Sequence, residues 1–314
     1  MFSNDEASVL RLHRVYAAPV AAVWEAWTDP AQVVKWWGPR GFTITHHDAD
    51  LRAGGQWRFT MHGPDGKDYP NVTKYLEVEP RARLVYDHGS ADDAPPMFRV
   101  TATFTEEAGG TRLDFQMRFA SPEVARQSAE FIKRAGGEST WDRLAEHLDD
   151  ARGYRRFYLN RSFDAPIERL YELWTKPEHL ASWLAPTGST MEFFRADIRP
   201  GGSSFYVMRN EHFVMYGRAE YRELEPPKRL VYTQQFCDEH EQPSRHPLAP
   251  TWPSTMLTTV RFAVEGPNRT RVTVQWEPYE ADATEVETFV GGRAGMTQGW
   301  TGSLDKLEAT LAAG

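Results

Sequence analysis

The second half of this chain repeats the first, and that repeat limits the possible folds more than any other feature. Residues 14–36, RVYAAPVAAVWEAWTDPAQVVKW, align without a gap on residues 161–183, RSFDAPIERLYELWTKPEHLASW. Ala18-Pro19 meets Ala165-Pro166, Trp27-Thr28 meets Trp174-Thr175, Pro30 meets Pro177, and Trp36 meets Trp183. The same offset puts Gly54-Gly55 on Gly201-Gly202. After small shifts Leu84-Val85-Tyr86 falls on Leu230-Val231-Tyr232, and Asp142-Arg143-Leu144 on Asp305-Lys306-Leu307. A repeat this long, kept in order through both halves, means duplication of a whole domain rather than a stack of short units. The junction is expected in the polar stretch LDDARGYRR, giving domains 1–151 and 152–314, each of ordinary domain size.

Each copy predicts the same elements. A strand opens it, over about 9–17 and 154–164, and Ala-Pro then suits a first helical turn. Val20, Val23, Trp24 and Trp27 recur at helical spacing, as do Ile167, Leu170, Tyr171 and Trp174. Asp29-Pro30 and Lys176-Pro177 end that helix, and a second short helix carries Trp36 or Trp183. Further on the apolar period changes to two. Phe98, Val100, Ala102 and Phe104 share one face, as do Leu113, Phe115, Met117 and Phe119. In the second copy Met256, Thr258, Val260 and Phe262 do the same, followed by Val272, Val274 and Trp276. Such alternation marks antiparallel sheet with one covered face. Pro64-Asp65-Gly66 is a hairpin turn. One last helix carries Trp141, Leu144 and Leu148, or Trp300, Leu304, Leu307 and Leu311. The expected class is α+β: two tandem domains, each a curved antiparallel sheet wrapped on a long C-terminal helix, with two short helices at one end.

Composition sets bounds on function. The net charge of −8 opposes non-specific attachment to nucleic acid or anionic lipid, so neither is an expected partner. One cysteine, Cys237, cannot form an intrachain disulfide, the start MFSNDEASVL has no secretory pattern, and no apolar run reaches membrane-spanning length. A cytoplasmic protein is expected. No nucleophile-elbow, phosphate-loop, dinucleotide or zinc-protease motif occurs, so no catalytic residue, cofactor or metal is assigned. His46-His47-Asp48-x-Asp50 resembles a metal motif, but neighbouring strand residues face opposite ways. Ser303-x-x-Lys306 fits a catalytic spacing without its companion motifs and is read as surface. Asp238, Glu239, His240, Glu241 and His246 fall in a polar loop, 237–255, which is either solvated or a lid. His62, Lys74 and Glu220 read as hydrogen-bonded or solvated strand residues.

The segments AAPVAAVWEAWTDPAQVVKWWGP, LRAGGQWRFTMHGPDGKDYPN and YLEVEPRARLVY resemble the START/Bet v 1-like helix-grip superfamily. Their counterparts FDAPIERLYELWTKPEHLASWLAP, IRPGGSSFYVM and YRELEPPKRLVYT do so too. Within it the chain is similar to the family named after the C-terminal domain of the activator of Hsp90 ATPase, and the match covers nearly the whole chain twice. The two copies leave no stretch for a separate Hsp90-binding domain, so that partner is not carried over. The resemblance implies a cavity between the concave sheet face and the last helix, and a hydrophobic small molecule as ligand. With 11 Trp, 12 Tyr and 17 Phe to place, an aromatic lining is expected. The candidates in the first copy are Trp27, Trp36, Trp57, Phe59, Met61, Phe98, Phe115 and Met117. In the second they are Trp174, Trp183, Tyr232, Met256, Trp276 and Trp300. The role so implied is carrier, sensor or stress-related binding protein. A cyclase or hydrolase using the same cavity, or a protein-interaction module, are the alternatives, and the copies could pair as a pseudo-dimer. Carrying the register through places Ser204, Tyr206 and Met208 inward and Phe205 and Val207 outward. That is either an interface face or a pairing slipped by one residue.

Overall fold

A computed structural model describes residues 2–134 and 136–313. The chain divides after Arg152 into two compact units. In the first, β1 (Val9–Tyr16) is followed by α1 (Val20–Thr28) and α2 (Pro30–Trp36). Six strands come next: β2 (Thr43–Ala49), β3 (Gln56–His62), β4 (Asp68–Glu79), β5 (Arg83–Gly89), β6 (Phe98–Glu107) and β7 (Gly110–Arg118). Then α3 (Pro122–Arg134) and α4 (Ser139–Ala151) follow. The sheet order is β1-β7-β6-β5-β4-β3-β2, every pair antiparallel. It is a six-stranded meander whose far edge is completed by the opening strand.

The second unit repeats the plan. Its elements are β8 (Phe157–Phe163), α5 (Ile167–Thr175), α6 (Pro177–Trp183), β9 (Thr190–Ala196), β10 (Ser203–Arg209), β11 (Val214–Glu225), β12 (Arg229–Cys237), β13 (Thr255–Gly266), β14 (Arg269–Pro278), α7 (Ala283–Gly291) and α8 (Arg293–Ala313). The sheet order is β8-β14-β13-β12-β11-β10-β9. Both units are α+β domains of one plan, as the repeat predicts, and of the helix-grip kind that the resemblance implies.

Local sequence accounts for the shared devices. Asp29 accepts from the Ala31 amide at 2.9 Å and so caps α2, while Pro30 occupies its first turn. The register of β4 on β5 slips between Tyr75 and Glu77, and that of β11 on β12 between Tyr221 and Glu223. A bulge at matching places bends both sheets toward their helices. Gly55 and Gly202 are required by contact. A side chain there would stand 2.1 or 2.2 Å from the carbonyl oxygen of Asp50 or Asp197.

Two expectations need correction. Each unit ends in two helices, because α3 and α7 precede the last one. Both are missing from the expected element order, although α7 carries Val286, Phe289 and Val290 at helical spacing and buries Phe289 in the core. α3 is laced by the Arg126 ion pairs to Glu123 and Glu130, and α7 by a capping box from Asp282 to Glu285. The second unit's first strand starts at Phe157, not 154. The β10 register is the unslipped one. Ser204, Tyr206 and Met208 are buried inward, opposite Ala219, Gly217 and Met215.

Candidate functional site

In the first unit the concave face is filled by interlocking rings. Trp27 lies edge-on to Trp36 and Phe104 and tilted against Trp37, Phe115 and Trp141, with centroids 5.4–6.0 Å apart. Trp57 stacks on Phe59 at 3.9 Å. Trp37, which the sequence reading passed over, touches Trp27, Trp36, Trp57 and Trp141. The Trp-Trp pair at the end of α2 was the available signal, since the second copy has Leu184 there. Toward the other end of this face, His88 stacks on Phe98 at 4.8 Å. Its Nε2 faces Asn71 Oδ1 at 3.0 Å and its Nδ1 faces Thr73 Oγ1 at 3.3 Å. Because the Asn71 amide nitrogen donates to Tyr69 O, its oxygen must accept from His88, leaving Nδ1 to accept from Thr73. Burial among rings pushes His88 down to about 4. Met61, Phe98 and Met117 are partly buried at the border of this core.

A buried ionic clasp holds the neighbouring loop. Arg40 donates twice to Glu146, at 2.9 and 2.8 Å, and Arg143 donates to the carbonyls of Lys35, Gly38, Pro39 and Phe42. Burial and the Arg40 charge lower Arg143 to about 10.

The second unit keeps the frame and changes the contents. Trp183, like Trp36, is fully buried and donates its indole N–H to a carbonyl of the preceding helix, Leu173 at 3.0 Å against Ala26 at 2.8 Å. Both therefore pin the short helix as core. Trp174 stacks with Trp300 at 5.9 Å, and Trp300 meets Trp276 edge-on at 5.3 Å. Met256 and Tyr232 belong to the same core. A cleft opens from Trp174 between the sheet and α6, bounded by Leu180, Leu184, Met191 and Phe193. Its floor is Ser204 and Tyr206 from β10, Ala219 and Tyr221 from β11, and Leu230, Tyr232 and Gln234 from β12. Of the six sequence candidates, Trp174 and Tyr232 line this cleft, while Trp276 and Trp300 stand behind Trp174. Tyr206 lies in it because its partner across the strands is Gly217, where the first copy has Asn71 opposite Phe59. Ser204 Oγ and the Tyr221 hydroxyl are 3.2 Å apart, and Thr258 donates to Gln234 at 2.9 Å. Burial holds the Tyr206 and Tyr232 phenols above their ordinary range, so both stay neutral donors. The free volume is about 10 Å³, room for a single water.

Other candidates have plain partners. His46 accepts from Trp57 Nε1 at 3.1 Å while His47 faces Thr60 at 2.9 Å, so the two point to different neighbours. His62 bridges Thr45 and Asp68. Ser303, expected at the surface, is buried because it donates to Leu184 O at 2.9 Å and ties α8 to α6. The 237–255 loop is strapped down: Arg245 and the Ser254 amide bond Glu285, Arg195 pairs with Glu241, and Trp252 packs on Phe289. On the outer sheet face Phe205 contacts Phe194 and Tyr216, with Phe194 53% exposed. Val207, expected outward beside it, is fully buried. The same face carries an open groove of about 240 Å³ lined by Arg218, Glu220, Arg222, Gln235, Tyr279 and Glu280 among others. Its acids and bases balance, and Arg218 is already paired with Glu220.

A curved sheet closed by helices over an uncharged aromatic cleft defines the class: a helix-grip domain, here in tandem. The chain belongs to the Activator of Hsp90 ATPase homolog 1-like protein family, whose profile matches residues 17–149 and again 164–312. Comparison with curated proteins returns no significant match. Among solved structures, a Nitrosomonas europaea protein is 28% identical over 48% of this chain and 99% of its own, with a TM-score of 0.44. A Mycobacterium smegmatis protein is 31% identical over 48% and 98%, with a TM-score of 0.43. An AHSA1-like protein from Aeromonas hydrophila is 23% identical over 46% and 94%, with a TM-score of 0.37. No helix among the described residues is long and apolar enough to cross a membrane.

Proposed function

We propose that the protein binds a hydrophobic small molecule in the cleft of its second domain, as a carrier or sensor. The observation that carries this reading is the cleft itself. It is walled by apolar side chains from two helices and a strand and floored by neutral hydroxyl and amide groups, with no charged residue in the lining. Ligand sites are concave and mostly apolar with a few polar anchors, and they usually enclose about 300–1,000 Å³. The resting cleft is far smaller, so binding has to open it. The first domain, with its clasped loop and interlocked rings, has different side chains at the matching places, so the two domains would not take the same ligand.

Native mass spectrometry of the purified full chain, followed by denaturation, tests the reading. One small apolar compound per chain is expected, and Ala219→Leu, which fills the cleft floor, should abolish it. A bare mass, together with no uptake of any member of a hydrophobic probe panel, would overturn it. The partly exposed Phe194–Phe205–Tyr216 cluster would then favour the second reading, a protein-docking face on the outer sheet.

A further inference from the structure

We infer that the ligand of the second domain carries an uncharged hydrogen-bond acceptor, a carbonyl oxygen, that receives the indole N–H of Trp174. This rests on the cleft proposed above and adds the chemical class of what fills it.

Three indole nitrogens in this domain are buried and meet no acceptor among the described residues: those of Trp174, Trp276 and Trp300. Trp174 is 1% exposed and Trp300 6%. Their rings form one connected set, since Trp300 touches both of the others. Buried donors are nearly always paired, because an unmade hydrogen bond costs about 1–3 kcal/mol. Three together in one aromatic stack, beside a cleft, are not explained by packing. The first copy makes the contrast. Trp36 donates to Ala26 O and Trp57 to His46, and no indole there is left buried without an acceptor among the described residues. In the second copy Trp183 keeps its carbonyl. Among the described residues the unmet indole donors therefore belong to the second core, as does the Tyr171 hydroxyl, and of these side chains Trp174 is the one that lines the cleft.

The acceptor must be neutral. The lining contains no Lys, Arg or His to balance an anion, and a carboxylate entering such a site would lose its hydration without a counter-charge. A ketone, amide or ester oxygen loses far less and accepts from the indole. The remainder of the ligand is apolar, to match Leu180, Leu184 and Met191.

The test uses the full chain and three probes of one skeleton: tetralin, 1-tetralone, and the carboxylate of tetralin. Calorimetric titration should show the ketone binding about 3- to 10-fold tighter than the hydrocarbon, the span expected for one neutral hydrogen bond. The carboxylate should bind most weakly. Trp174→Phe keeps a ring and removes the donor, so the ratio of ketone to hydrocarbon affinity should fall to about one, whatever the change in tetralin binding itself. A second measurement needs no variant to fold well. In the ¹⁵N-labelled wild-type protein the Trp174 indole proton should move downfield with the ketone and not with tetralin. Equal binding of ketone and hydrocarbon, or a ketone preference that survives Trp174→Phe with an unmoved indole signal, overturns the acceptor and leaves the cleft standing. Preference for the carboxylate overturns its neutrality. If no probe binds, the cleft reading and this one fall together.

Discussion

Replacing Gly217 by alanine probes the cleft wall through one atom. Gly217 pairs with Tyr206 across β10 and β11, and the Tyr206 ring lies against it. A Cβ at Gly217 would stand 2.4 Å from the ring Cζ, 2.5 Å from the hydroxyl oxygen and 2.6 Å from Cε2. Carbon atoms rest at about 3.5–4.0 Å, so the ring must retreat by more than about 1 Å. Tyr206 is buried among Phe193, Met191 and Met208, so that retreat is not free. Overpacking of this kind costs about 1–3 kcal/mol. Alanine returns about 0.4–1 kcal/mol by restricting the unfolded chain. The net expectation is a loss of about 1–2 kcal/mol. That lowers the melting temperature of the second domain by roughly 2–8 °C for a domain of this size. Scanning calorimetry of the full chain measures it. In a Tyr206→Ala background the three atoms nearest the new methyl are gone, so there Gly217→Ala should be neutral or slightly stabilising. The coupling between the two sites should then exceed about 1 kcal/mol. An equal loss in both backgrounds would show that the ring is not held against Gly217 and would refute this packing.

Other expectations follow from the same contacts. Glu146→Gln takes away the buried carboxylate on which Arg40 is bidentate and should cost the first domain at least about 2 kcal/mol in urea unfolding; an unchanged midpoint would refute the clasp. His88 has its folded pKa lowered to about 4 from 6.5, so the unfolded chain takes up the proton first. Its stabilisation is complete above about pH 6.5 and is lost as the pH falls toward 4; His88→Gln, the residue type of Gln234, should flatten that part of the stability curve. Glu285→Gln weakens the α7 cap and the Arg245 strap together, so amide exchange in 243–254 should quicken by about fivefold or more, with the sheet unaffected.

Much of this molecule is legible from the chain alone, because its signals are local and occur twice. The duplication follows from identity at a fixed offset, and the α1 and α5 faces follow from helical spacing of Val23, Trp27, Leu170 and Trp174. The strand faces follow from a period of two; for β10 the repeat offset puts Ser204, Tyr206 and Met208 inward but leaves a one-residue slip open, and it misses the burial of Val207. The helices α3 and α7 escape such reading. Ion pairs dress α3, and α7 offers only one short apolar face, Val286, Phe289 and Val290, between charged residues, too brief to stand out beside the repeated motifs.

Tertiary structure alone decides the contents of the two cores. That Arg40 meets Glu146, or that Tyr206 lies over Gly217, depends on strand register and on where the last helix crosses the sheet, which no spacing along the chain encodes. The aromatic count foretold a crowded interior; only packing decided that the second cleft closes to about 10 Å³. Likewise each tryptophan carries the same N–H in the sequence. Whether it finds a carbonyl, as Trp36 and Trp183 do, or stays buried without one, as Trp174 and Trp300 do, is settled by which distant backbone the fold brings alongside it.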